Sequence, residues 1–140
     1  MGDDDMNFLP LLISAMLTVE SGGDFHAVGD GGKALGVLQI HKEVIADVNR
    51  IYKTQFRHED ALNPTLAKEI CEMYLRHYGG EALRRIRPGE FAQGDAGASE
   101  ICARIWNGGP RGHLKKATEG YWEKVRKQLS TMELTMKEEK

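Results

Sequence analysis

The stretch LTVESGGDFHAVGDGGKALGVLQI, Leu17 to Ile40, decides how the first half of the chain is organised. An apolar run with helical period leads into it. Phe8, Leu11, Leu12, Ala15, Met16 and Val19 fall at i, i+3, i+4, i+7, i+8 and i+11, which is one face of a helix. Glu20 closes that run, and Gly22 and Gly23 then remove the side chains that favour helix. Gly29, Gly31, Gly32 and Gly36 follow, so the segment after the first core helix is expected to be a glycine-rich loop or a small irregular hairpin. A carboxylate at the end of a core helix is either solvated or held in a cleft for chemistry.

Outward from that stretch, helical periodicity dominates. Asn7 is placed to cap the first helix, with Pro10 tolerated in its first turn. A second helix is expected from about Gln39–Lys42 to Tyr52, with Val44, Ile45, Val48 and Ile51 inward. Asn63-Pro64 reads as cap and first residue of a third helix, which carries Leu66, Ile70, Met73, Tyr74 and His77 on one side and ends at Tyr78-Gly79-Gly80. A short helical piece near 80–87 and a surface loop over 87–99 precede a helix at 99–106 that stops at NGGPRG, 107–112. Thr118 then caps a last helix with Tyr121, Trp122, Val125 and Leu129 inward, and the polar tail after Ser130 is expected to fray. The expectation is one mostly α domain over residues 1–140, with its core at about 7–130.

Composition narrows the class. At 140 residues the chain can bury a real core, and 41% hydrophobic with 29% charged residues is ordinary for a globular protein. No apolar run approaches the ~20 residues that span a bilayer, so membrane insertion is not expected. The run Phe8–Val19 is interrupted by Pro10 and Ser14, and acidic Asp3–Asp5 stands where a signal peptide carries basic residues. The net charge of −2 argues against a general nucleic-acid binder. Charge is nonetheless uneven: residues 1–49 carry two Lys/Arg against eight Asp/Glu, and residues 50–127 fifteen against ten. That positive middle segment either meets an anionic polymer or forms solvated helix faces. Cys71 and Cys102 sit singly in apolar helical patterns and read as buried thiols, with a disulfide between them as the alternative. The five histidines show no HExxH and no metal spacing, so neither metal nor cofactor is expected. The phosphate-loop pattern fails at 27–34, where Ala27 takes the first glycine position and Ala34 follows Lys33.

Four motifs in order carry a resemblance. They are Glu20-Ser21, then ALGVLQI at 34–40, then NPTLAKEICEMYL at 63–75, then ARIWNGG at 103–109, with Tyr121 in the late TEGYWEKV. Together they resemble the soluble-type (SLT) lytic transglycosylases of the lysozyme-like superfamily over about residues 8–126. That family reads E-S, G-L-M-Q-I and A-Y-N-x-G. The resemblance implies a lysozyme-like fold and an enzyme that cleaves the MurNAc–GlcNAc β-1,4 bond of peptidoglycan, as a lytic transglycosylase or a muramidase. It implies Glu20 as general acid, with Ser21, Gly36, Gln39, Ile40, Trp106, Asn107 and Tyr121 as substrate-binding residues. The alternative of another class is a catalytically silent peptidoglycan-binding module.

Acid catalysis explains why a carboxyl group would stand there. The leaving oxygen needs a proton, so the carboxyl must stay protonated near neutral pH. Glu20 is flanked by Leu17, Met16 and Val19, and the next basic residue is Lys33. Gln39 either hydrogen-bonds the sugar, positions the acid or merely caps the helix after it. Trp106 replaces the family's tyrosine and Leu38 its methionine, while His41-Lys42 follows where proline is common. Where the family has a serine, this chain has Gly29-Asp30. Transglycosylases need no second carboxylate, because the substrate's N-acetyl group assists and a 1,6-anhydro ring forms. Phage-type lysozymes carry an aspartate at a similar interval after their glutamate, which makes Asp30 a candidate base for hydrolysis and Asp24 a weaker one; GDGG also suits a plain turn. The expected partner is the glycan strand, with a monomer as default. The expected site of action is the cell wall, reached by phage-type release after cytoplasmic synthesis, or by a signal or longer chain that this sequence lacks.

Overall fold

Five α-helices, one short hairpin and several short 3₁₀ turns make up the regular structure in the computed structural model, which describes residues 6–138. The acidic Asp3–Asp5 and the last two residues of the polar tail lie outside the described residues. Helix α1 is Leu9–Ser21, α2 Lys42–Tyr52, α3 Pro64–Arg85, α4 Gly94–Gly108 and α5 Glu119–Glu138. Strands β1 (Val28–Gly29) and β2 (Ala34–Leu35) pair antiparallel, Val28 opposite Leu35 and Gly29 opposite Ala34. The mostly α fold with a small hairpin after the first core helix is therefore as the sequence led us to expect. No helix among the described residues is long and apolar enough to cross a membrane.

The chain divides into two compact units, Met16–Tyr74 and Met1–Ala15 with Leu75–Lys140. In the first, Met16, Val37, Leu38, Ile40, Ile45, Val48, Ile70 and Tyr74 form the core. Asn63 opens α3 as its sequence predicts: its side-chain oxygen accepts from the Leu66 amide at 3.1 Å, and Pro64 needs no amide partner. In the second unit Leu9, Leu12, Ile13, Leu75, Ile101, Ile105 and Val125 are buried. Helix α1 begins at Leu9, two residues after Asn7, so Asn7 stands too far back to be its cap.

Several boundaries differ from the sequence expectation. Helix α3 does not end at Tyr78-Gly79-Gly80 but continues to Arg85. Gly79 is there for packing: a Cβ would stand 2.6 Å from Cys102 Sγ, so the missing side chain lets α4 approach. Its φ is not in the left-handed region that a helix-ending glycine adopts. Helix α4 begins at Gly94, so half of the expected 87–99 loop is helical. The small residues that looked like loop composition serve close approach, since a Cβ on Gly97 would overlap the Ala92 carbonyl. Helix α5 continues through the polar tail to Glu138. Both cysteines are buried and neither forms a disulfide, and burial pushes the Cys102 thiol up to about 12.

Candidate functional site

Glu20 is half-buried in the last turn of α1, where the helix passes into the glycine-rich segment. Its neighbour Ser21 anchors that junction. The Ser21 hydroxyl donates to the Val37 carbonyl at 2.8 Å, with the Leu17 carbonyl a longer alternative at 3.3 Å, and accepts from the Gly23 amide at 3.1 Å. The helix end and the ALGVLQI segment are thus tied together one residue from the carboxylate. Ser21, expected at the substrate, has its hydroxyl committed to the backbone.

Gln39 closes the hairpin. It adopts a left-handed backbone (φ 51°), and its Nε2 donates to the carbonyls of Ala27 at 3.2 Å and Gly36 at 3.0 Å. Its Oε1 occupies the space a Cβ on Gly29 would need. The α2 cap position belongs to His41, so the capping reading of Gln39 does not hold. Gly36 is buried at φ 78°, and a Cβ there would overlap the Ala61 carbonyl. Ile40 is fully buried; its amide donates to Leu35 at 2.9 Å, and its carbonyl accepts from His58 Nε2 at 2.8 Å. Gly36 and Ile40, both expected at the substrate, are placed by the structure in the framework under the hairpin.

The two aspartates of the segment differ. Asp24 makes an Asx turn, its Oδ1 accepting from the His26 amide at 2.9 Å, a local role that accounts for it. Asp30 sits at the hairpin tip with φ 49°, and its exposed carboxylate lies 2.9 Å from His41 Nε2. Sequence reasoning passed over His41 as a departure from the family pattern, and it also missed Phe25. Phe25 is 45% exposed and its ring lies 4.2 Å from that of His26. A lone aromatic in a run of glycines and polar residues was the signal available for it.

The remaining expected residues belong to the other unit. Trp106 is half-buried in the last turn of α4, Asn107 is exposed beside it, and Tyr121 is half-buried in the first turn of α5. A buried arginine holds this end of α4. Arg104 is 7% exposed and donates to Glu100 at 2.7 Å, to Thr118 Oγ1 at 2.8 Å and to the Lys115 carbonyl at 2.8 Å. Thr118 in turn donates to the Gly112 carbonyl at 2.7 Å or that of Lys115 at 2.8 Å, so its hydroxyl serves this network in place of the expected helix cap. Lys115 Nζ donates to the Gly108 carbonyl at 2.7 Å, satisfying an acceptor at the helix end. Nothing in the motif ARIWNGG had marked Arg104 as structural. No cluster of His, Cys, Asp and Glu among the described residues could hold a metal ion. No family model matches the chain, and no curated protein matches it either.

Proposed function

We propose that the protein is a glycosidase that cleaves the MurNAc–GlcNAc β-1,4 bond of peptidoglycan, with Glu20 as general acid. The observation that carries this is the placement of Glu20: half-buried, on the rigid end of a core helix, beside a serine that pins the following hairpin. A fixed backbone keeps the carboxyl group aimed at one oxygen. Glu20 gives its proton to the leaving oxygen as the glycosidic bond breaks and an oxocarbenium-like centre develops. Either water captures that centre, its proton passing to Asp30, or the sugar's own 6-hydroxyl does so and returns its proton to the Glu20 carboxylate. Gln39 acts here through the hairpin, since both of its amide protons are engaged by carbonyls. Trp106, Asn107 and Tyr121 are the residues to which the resemblance assigns sugar contacts.

The test is turnover of purified peptidoglycan by wild type and Glu20→Gln, with mass spectrometry of the released muropeptides. Loss of all product in the variant, with unchanged helical circular dichroism, is expected; unchanged turnover would overturn the proposal. Reducing MurNAc ends would assign hydrolysis and make Asp30 the first candidate for its base. Anhydro ends would assign a lytic transglycosylase and leave Asp30 as a turn residue. Cell-wall binding by wild type without any product would replace the enzyme by a glycan-binding module.

A further inference from the structure

A cavity of about 460 Å³ opens in the unit formed by Met1–Ala15 and Leu75–Lys140, at the C-terminal end of α3. Its size is that of a small-ligand site. Arg85, Arg87 and Arg111 line it. None of these three guanidinium groups has a hydrogen-bond or ion-pair partner among the described residues. The two acidic residues of the wall are already engaged: Glu81 lies 3.6 Å from His77 Nε2, and Glu90 accepts from the Arg87 amide. Phe91 supplies an apolar side, its ring 6.2 Å from that of His113. Three unpartnered guanidinium forks against a partly apolar wall are built for planar anions.

We propose that this cavity binds a short peptide carrying more carboxylates than ammonium groups. Guanidinium pairs with carboxylate through two parallel hydrogen bonds, so Arg85, Arg87 and Arg111 take the ligand's carboxylates. Glu81 and Glu90 repel a dense polyanion such as phosphate, but each keeps acceptor capacity for an ammonium group. The peptide stems of peptidoglycan have this chemistry, and naming them as the source rests on the glycosidase proposal above. The site then reads the peptide while Glu20 acts on the glycan.

The experiment is calorimetric titration of the full chain with stem pentapeptide released from peptidoglycan by an amidase, and separately with inorganic phosphate. Saturable stem binding is expected, weakened at least tenfold in Arg85→Ala/Arg111→Ala, with phosphate failing to compete. Glu20→Gln is expected to bind the stem as wild type does. Absent binding, equal binding by the double variant, or equal competition by phosphate would each overturn the proposal. Circular dichroism of the double variant, together with the single Arg111→Glu reversal, guards against a folding artefact. Cleavage of stem-free glycan strands, run on the same samples, reports the glycosidase proposal separately. Arginine-dependent stem binding without cleavage upholds the cavity and sinks the enzyme, and cleavage without stem binding does the reverse.

Discussion

The Ser21 hydroxyl reaches the carbonyl of Val37 at 2.8 Å, a bond between residues sixteen apart in sequence. It joins the rigid end of α1 to the segment after the hairpin, and it does so one residue from Glu20. The glycine-rich stretch between them is therefore a loop with both ends anchored.

Ser21→Ala should cost about 1–3 kcal/mol, because the Val37 carbonyl and the Gly23 amide each lose a partner. Urea unfolding gives the stability. Hydrogen exchange at the Gly23 amide gives the local effect, and faster exchange there is expected. If the glycosidase proposal holds, kcat falls more than KM rises, since the acid loses positioning and not contact with substrate.

Gly36→Ala is expected to be worse. Its backbone is at φ 78°, and the new methyl group would overlap the Ala61 carbonyl, which cannot swing aside as a side chain can. A loss of about 3 kcal/mol or more follows. Gly31→Ala, also left-handed but with nothing within 4 Å of the added carbon, should cost only the backbone strain. Thermal melts of the two variants compare them directly.

Arg104→Met should destabilise by about 3–5 kcal/mol, since it leaves the Glu100 carboxylate unpaired in partly buried surroundings. Arg104→Met/Glu100→Gln should recover part of that loss, because no unpaired charge then remains. Equal stability of the single and double variants would count against the network. Chemical denaturation of both proteins decides it.

Cys102 links packing to pH. Gly79→Ala should destabilise, and Gly79→Ala/Cys102→Ala should be less affected than the two single losses summed, because the second change clears the Sγ. Burial raises the Cys102 thiol to about 12, so between its ordinary 9.0 and that value the folded state holds a proton the unfolded state has released. Its contribution is complete below about pH 9 and drains away as pH rises toward 12, at up to ~1.4 kcal/mol for each pH unit. Denaturation of wild type and Cys102→Ala across that range should show the steeper loss in the former. Alkylation of the native protein at pH 8 should leave Cys102 untouched.

Much of the first half was legible because its signals are local. Period-3.6 burial, the Asn63-Pro64 start and the glycines after Glu20 each act through nearest neighbours, and α2, the start of α3 and the hairpin followed. The error at α3 has a physical cause. Gly79 looks like a breaker to a local reading, yet it is small because Cys102 of α4 passes close by. The same holds at the site. The position of Glu20 at a helix end could be anticipated, while the committed bonds of Ser21 and Gln39 could not, because their partners lie at Val37, Ala27 and Gly36.

By itself the sequence determined a mostly helical chain, a glycine-rich loop or hairpin after the first core helix, and a lone carboxyl group where that helix ends. Only the tertiary structure decided which glycines break helices and which let them touch, that Asp30 meets His41, and that Arg104 and Thr118 bind each other. The physical reason is range. Backbone propensity and periodic burial act over a turn or two of chain, whereas close packing and buried hydrogen bonds depend on groups that only folding brings together.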